Sequence, residues 1–89
     1  MRTLLKFEAD WCGPCQAVKP TVQQVVDESP DLQLVVIDID MEENRSLVQQ
    51  YQVRAVPTFV IKEDDTVIAT TSGALSKSQL VEFTERQSA

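Results

Sequence analysis

A change of period near the start of this chain constrains it most. Leu4 to Ala9 is a short apolar run, long enough for a strand. After it Val18, Val22, Val25 and Val26 recur at i, i+4, i+7 and i+8, which is one face of a helix. Asp10 can cap the start of that helix, Ser29-Pro30 stops it, and Pro20 removes one internal hydrogen bond and kinks it. Leu32 to Ile39 then reads as a second strand, with Leu34-Val35-Val36-Ile37 apolar almost without interruption. Strand, helix and strand in this order make two parallel strands joined by a right-handed crossover. A run apolar on both faces implies helices above and below the sheet.

The remaining segments continue the alternation. Asp40 and Glu43 have the spacing of a capping box, with Leu47, Val48 and Tyr51 as an apolar face behind it. Thr58 to Ile61 and Val67 to Thr71 are β-rich and joined by the polar stretch Lys62-Glu63-Asp64-Asp65-Thr66, a hairpin connection. A last helix is signalled by Ser76 and Gln79 as a capping box. Leu75 and Leu80 stand at the staple positions, and Leu80 and Phe83 face the core. The order is β-α-β-α-β-β-α, an α/β protein. Its 89 residues suffice for one small domain and contain no repeat or linker.

Charge and residue usage narrow the chemistry. Lys and Arg total 8 against 14 Asp and Glu, a net charge of −6. That sign opposes non-specific binding to nucleic acid or to anionic membrane. No apolar run approaches the about 20 residues of a membrane span, and Lys6 and Glu8 interrupt the first one too early for a signal peptide, which points to the cytoplasm. The absence of His removes the commonest general base and metal ligand, and two Cys cannot build a four-ligand zinc site alone.

Both cysteines lie in Trp11-Cys12-Gly13-Pro14-Cys15, at the carboxyl end of the first strand, where open α/β sheets place their chemistry. Two intervening residues at a helix start bring the sulfurs within disulfide reach. The first sulfur lies at the helix amino end, where unpaired N–H groups and the dipole favour a thiolate. Cys12 is the candidate nucleophile and the deeper Cys15 the resolving thiol. Pro14 has no helical hydrogen bond to lose in a first turn, and Gly13 leaves the sulfur approachable. Competing readings are a zinc knuckle, which lacks two ligands, an inert disulfide, which constrains little in so small a loop, and two bystander thiols. The spacing within a strand–helix–strand unit favours redox chemistry.

The motif resembles the thioredoxin signature. Lys19-Pro20 is similar to that family's mid-helix kink, Val56-Pro57-Thr58 to the segment carrying its cis-proline, and Gly73-Ala74-Leu75-Ser76-Lys77 to its closing loop and last helix. The resemblance implies a single thioredoxin-like domain over residues 1–89, with a minimal four-stranded mixed sheet flanked by three helices. It also implies a thiol–disulfide oxidoreductase that reduces protein disulfides through Cys12 and Cys15. No cofactor is then bound, and electrons come from NADPH through thioredoxin reductase. The implied setting is electron transport and redox homeostasis in the cytoplasm, by a monomer. Trp11, Gly13 and Pro14 become the apolar rim. Pro57, if cis, packs beside the disulfide, and Val56 with Gly73 and Ala74 completes the substrate groove. An extended substrate can pair with exposed backbone at Val56 whatever its sequence.

Three departures from the family pattern stand out. The chain begins at the strand leading into the motif, so the family's leading strand and helix are expected to be missing. Lys6 occupies the place of a common buried aspartate. A charged Lys6 would favour a Cys15 thiolate and make the pair more oxidising, so that Lys6→Asp lowers the reduction potential. A Lys6 kept neutral by burial could itself take the proton, or its head snorkels to water or near Asp38. Val36 stands where the family often has Lys, and Glu8 where an aromatic residue is usual; Glu8 and Asp10 read as solvated loop acids. The alternative functions are a glutathione-linked, glutaredoxin-like reductase, an oxidant or isomerase, and a non-catalytic accessory subunit. Gly-Pro between the cysteines speaks against the isomerase, which usually has His there.

Overall fold

The computed structural model describes residues 1–85. Its elements are β1 (Arg2–Glu8), α1 (Gly13–Asp27), β2 (Leu32–Asp38), a 3-10 turn (Glu42–Asn44), α2 (Arg45–Gln50), β3 (Thr58–Glu63), β4 (Thr66–Ser72) and α3 (Lys77–Thr84). This is the α/β order read from the periods. The four strands form one mixed sheet in the order β2-β1-β3-β4. β1 pairs in parallel with β2, Leu4 opposite Leu34 and Phe7 opposite Ile37. It pairs antiparallel with β3, which pairs antiparallel with β4.

Strand alternation divides the core into two layers. On one face of the sheet Leu4, Phe59 and Ile61 pack with Val18, Val22 and Val25 of α1 and with Leu80 and Phe83 of α3. On the other, Leu5, Phe7, Ile37 and Val60 pack against Leu47, Val48 and Tyr51 at α2. The Phe7 and Tyr51 rings meet at 5.7 Å between centroids. The valines spaced at i, i+4 and i+7 thus face the sheet, and α1 runs unbroken through Pro20.

Four local expectations are corrected. β2 is an edge strand rather than a fully covered one, and Val36 is 51% exposed. Leu32 and Leu34 pack under α1 on the same side of the strand, but the cover thins before Val36. Asp10 does not cap α1; Cys12 does, its Sγ accepting from the Cys15 N–H. The Asp40–Glu43 capping box does not form. Met41 precedes the 3-10 turn without a side-chain cap, and the Asp40 carboxylate is engaged elsewhere. The polar hairpin connection is shorter than its five residues: Lys62, Glu63 and Thr66 stay in the ladder. Asp64 takes the left-handed conformation (φ 53°) that an Asp tolerates, and a bulge follows Ile61. The Ser76–Gln79 capping box is present, with both reciprocal bonds made.

Candidate functional site

β1 delivers the chain to the sheet's end, and a tight turn closed by the Cys12 N–H to the Ala9 carbonyl (3.1 Å) reverses it into α1. Cys12 is the N-cap of that helix. Its Sγ accepts from the Cys15 N–H at 3.1 Å, one of the donors a helix start leaves without a partner. Cys12 and Cys15 are joined in a disulfide, with Cα atoms 5.2 Å apart. Pro14 sits in the first turn, as its missing N–H allows. The two sulfurs differ in depth: Cys15 is fully buried, whereas Cys12 keeps 5% of its surface at the rim.

Exposed side chains surround that rim. Trp11 is 68% exposed, its indole N–H donating to Asp40 Oδ2 at 2.8 Å. Gly13 and Pro14 are exposed beside it. The Val56 carbonyl oxygen lies 3.6 Å from Cys12 Sγ, and the Val56–Pro57 bond is cis. The Pro57 carbonyl accepts from the Gly73 N–H at 2.9 Å, so the loop before α3 is tied to the same spot. Gly73 has φ 103°, a conformation that favours glycine, and Ala74 follows it on the surface. The structure therefore gathers Trp11, Cys12, Gly13, Pro14, Cys15, Val56, Pro57 and Gly73 at one end of the sheet, with Ala74 at its margin.

Lys6 corrects one expectation. It does not snorkel, being only 1% exposed, and Asp38 is not its partner. Its Nζ donates to the Cys15 carbonyl at 3.2 Å and lies 2.7 Å from Glu8 Oε1. Glu8 is likewise no solvated loop acid. It is 8% exposed, and its other oxygen lies 3.8 Å from Lys19 Nζ. The Lys6–Glu8 approach is an ion contact without the alignment of a hydrogen bond, so Glu8 Oε1 lacks an aligned donor. Asp10, by contrast, is exposed as expected. Sequence reading missed Glu8 and Asp40. Strand alternation held the signal for Glu8, because Lys6 and Glu8 share the face of Leu4, which turns toward α1. Nothing local signalled Asp40.

Among the described residues, no group of three or more His, Cys, Asp or Glu is placed to hold a metal. None of the described helices is long and apolar enough to cross a membrane.

A sequence profile of the thioredoxin family matches residues 1–86. The chain belongs to the thioredoxin family. It is 38% identical over 84 residues to a thioredoxin of Acidithiobacillus ferridurans, covering 94% of this chain and 77% of that one. With a thioredoxin of Pseudomonas aeruginosa it shares 39% identity over 80 residues, 90% of this chain and 73% of that one. The solved structure of Fasciola hepatica thioredoxin superposes with a TM-score of 0.84 at 32% identity, covering 93% and 77% of the two chains. This thioredoxin-family chain is a thiol–disulfide oxidoreductase of the protein-disulfide reductase type, with its redox pair in Trp11-Cys12-Gly13-Pro14-Cys15.

Proposed function

We propose that Cys12 is the attacking thiolate and Cys15 the resolving thiol of a dithiol carrier that reduces protein disulfides. The observation that carries this reading is the position of Cys12 Sγ. It caps α1 and accepts a backbone N–H, in a residue that keeps 5% of its surface while its disulfide partner keeps none. Helix amino ends favour thiolates, and only a thiolate attacks a disulfide. The attack forms a bond between Cys12 and one substrate sulfur and releases the other. Cys15 then displaces the substrate from Cys12.

Trp11, Gly13 and Pro14 form the apolar rim that meets the substrate. Pro57 and the Val56 backbone line the groove beside Cys12, and Gly73 and Ala74 close it. An extended segment laid along Val56 gains main-chain hydrogen bonds and little sequence preference. The protein works as a cytoplasmic monomer built from one domain over residues 1–89. It binds no cofactor and is recharged by thioredoxin reductase with NADPH.

Insulin-disulfide reduction tests this, with electrons supplied either by NADPH and thioredoxin reductase or by glutathione, glutathione reductase and NADPH. Turnover is expected with the first supply and is lost in Cys12→Ser. Turnover with glutathione alone would replace the recharging route, and full activity in Cys12→Ser would remove the mechanism.

A further inference from the structure

β2 is an edge strand, and it lacks the features that keep a sheet edge to itself. Among the described residues its outer side carries no ladder. Five of its seven residues, Leu32, Leu34, Val35, Val36 and Ile37, are aliphatic, none is Lys or Pro, and its register with β1 runs without a bulge. The opposite edge differs: β4 has Thr or Ser at four of its seven positions, and its ladder with β3 is bulged. Beside β2 lies a cavity of about 400 Å³, bordered by Lys19 and Gln23 of α1 and by Leu34 and Val36. Val36 is 51% exposed there.

We propose that this edge pairs with the same edge of a second copy of the chain, antiparallel about a two-fold axis through Val35, so that the two sheets join into one. Val35 is the middle residue of β2, and about it all seven residues find a partner. Leu34 then lies opposite the partner's Val36, and Val36 opposite the partner's Leu34. Both stand on the strand face that turns toward α1, so each copy helps to cover the other's cavity. A slip of one residue would set the apolar set of one copy on the wrong side of the other. The contact uses the same patch on both copies and therefore closes at two.

Charge on the neighbouring helix selects a second copy as the occupant. Lys19, Gln23 and Asp27 stand at i, i+4 and i+8 of α1, one stripe along its length. Lys19 and Gln23 border the cavity, and Gln23 Nε2 donates to Asp27 Oδ1 at 2.8 Å. The helix of a crossover runs antiparallel to its strands. The axis through Val35 therefore sets Lys19 toward the partner's Asp27 and Asp27 toward the partner's Lys19, with Gln23 near the axis. Other charges nearby are engaged within the chain. Glu8 meets Lys6 at 2.7 Å, both oxygens of Asp31 accept from Arg2, and Asp38 Oδ1 accepts from the Asp40 N–H. Each copy carries a net charge of −6, so general repulsion opposes the pairing and the stripe has to offset it. The arrangement leaves one Cys12–Cys15 pair toward each end of the joined sheet. Each chain still performs the exchange singly, and the pairing adds a self-associated form that does not depend on the roles of the thiols.

Sedimentation of the 89-residue chain from micromolar to millimolar concentration tests the pairing. The mass is expected to rise from 10.0 kDa toward double that value, and a single-chain mass throughout overturns the proposal. Val36→Lys changes an exposed side chain, so the fold is expected to survive by circular dichroism and the association to be lost. Unchanged association in that variant places the contact elsewhere and overturns the proposal. Should Val36→Lys not fold, the charge variants decide. Lys19→Glu and Asp27→Lys each set like charges together twice across the axis, and each is expected to weaken association about tenfold or more. Asp27→Lys also leaves the chain less negative, so unspecific association would strengthen in it, which overturns the proposal. An equimolar mixture of the two variants restores opposite charges at both places and is expected to associate as the unsubstituted chain does. A mixture that stays as weak as its components overturns the two-fold arrangement. Insulin reduction by the unsubstituted chain and by Val36→Lys reports separately on the exchange chemistry.

Discussion

One helical turn separates Cys12 from Cys15, and that turn assigns them different work. Cys12 caps the helix amino end through its Sγ and keeps a little exposed surface, whereas Cys15 is fully buried. Removing the inner sulfur should therefore stop the reaction halfway. Cys15→Ser is expected to accumulate a covalent adduct with a protein substrate, seen by intact-mass measurement and released by dithiothreitol. Cys12→Ser is expected to form none. An adduct on Cys12→Ser alone would reverse the two roles. At this scale much of the site was legible. Five consecutive letters held the sulfurs, the rim and the first-turn proline. Glu8 was misread because an acid near a loop looks solvated until the cation it meets is known. Lys6 supplies that cation from two residues earlier on the same strand face.

Elements differ in how local their instructions are. α3 carries its own start signal, because Ser76 Oγ accepts the Gln79 N–H and Gln79 Oε1 accepts the Ser76 N–H. Ser76→Ala is accordingly expected to cost about 1 kcal/mol of stability in urea unfolding. A change within error would show that packing of Leu80 and Phe83 alone sets the helix. The identical spacing at Asp40 and Glu43 produced no cap, since the Asp40 carboxylate meets the Trp11 indole 29 residues away. Capping boxes are readable where the capping side chain has no distant competitor. The edge position of β2 was not readable either. Its apolar run is set by local residues, but strand order is set by which strands pair across the chain, and β1 rather than β2 receives β3.

For the whole molecule, closure depends partly on a surface clasp near the start of β1. The Arg2 guanidinium donates from Nε and Nη2 to the two oxygens of Asp31, at 3.0 and 3.1 Å, and from Nη1 to the Thr84 carbonyl. One side chain thus joins β1, the loop between α1 and β2, and the end of α3. The hydrogen bond from Arg2 holds the Asp31 carboxyl below its ordinary 3.8; desolvation opposes it, and the charge of Arg2 adds a lesser push in the same direction as the hydrogen bond. A carboxyl depressed in the folded state stabilises that state fully above its unfolded value. The contribution is lost as pH falls through the folded value, because the folded chain must then take up the proton it had resisted. Asp31→Asn should consequently lower the melting temperature at pH 7, and the gap to the unsubstituted chain should narrow as pH drops from about 5 toward 2. High salt should narrow it at neutral pH as well, since Asp31 is exposed and screening acts on exposed charges. Thermal unfolding across that range in low and high salt checks both. A gap constant in pH and in salt would mean that the clasp acts through its geometry, the Arg2 hydrogen bond to Thr84 included, and not through the Asp31 charge.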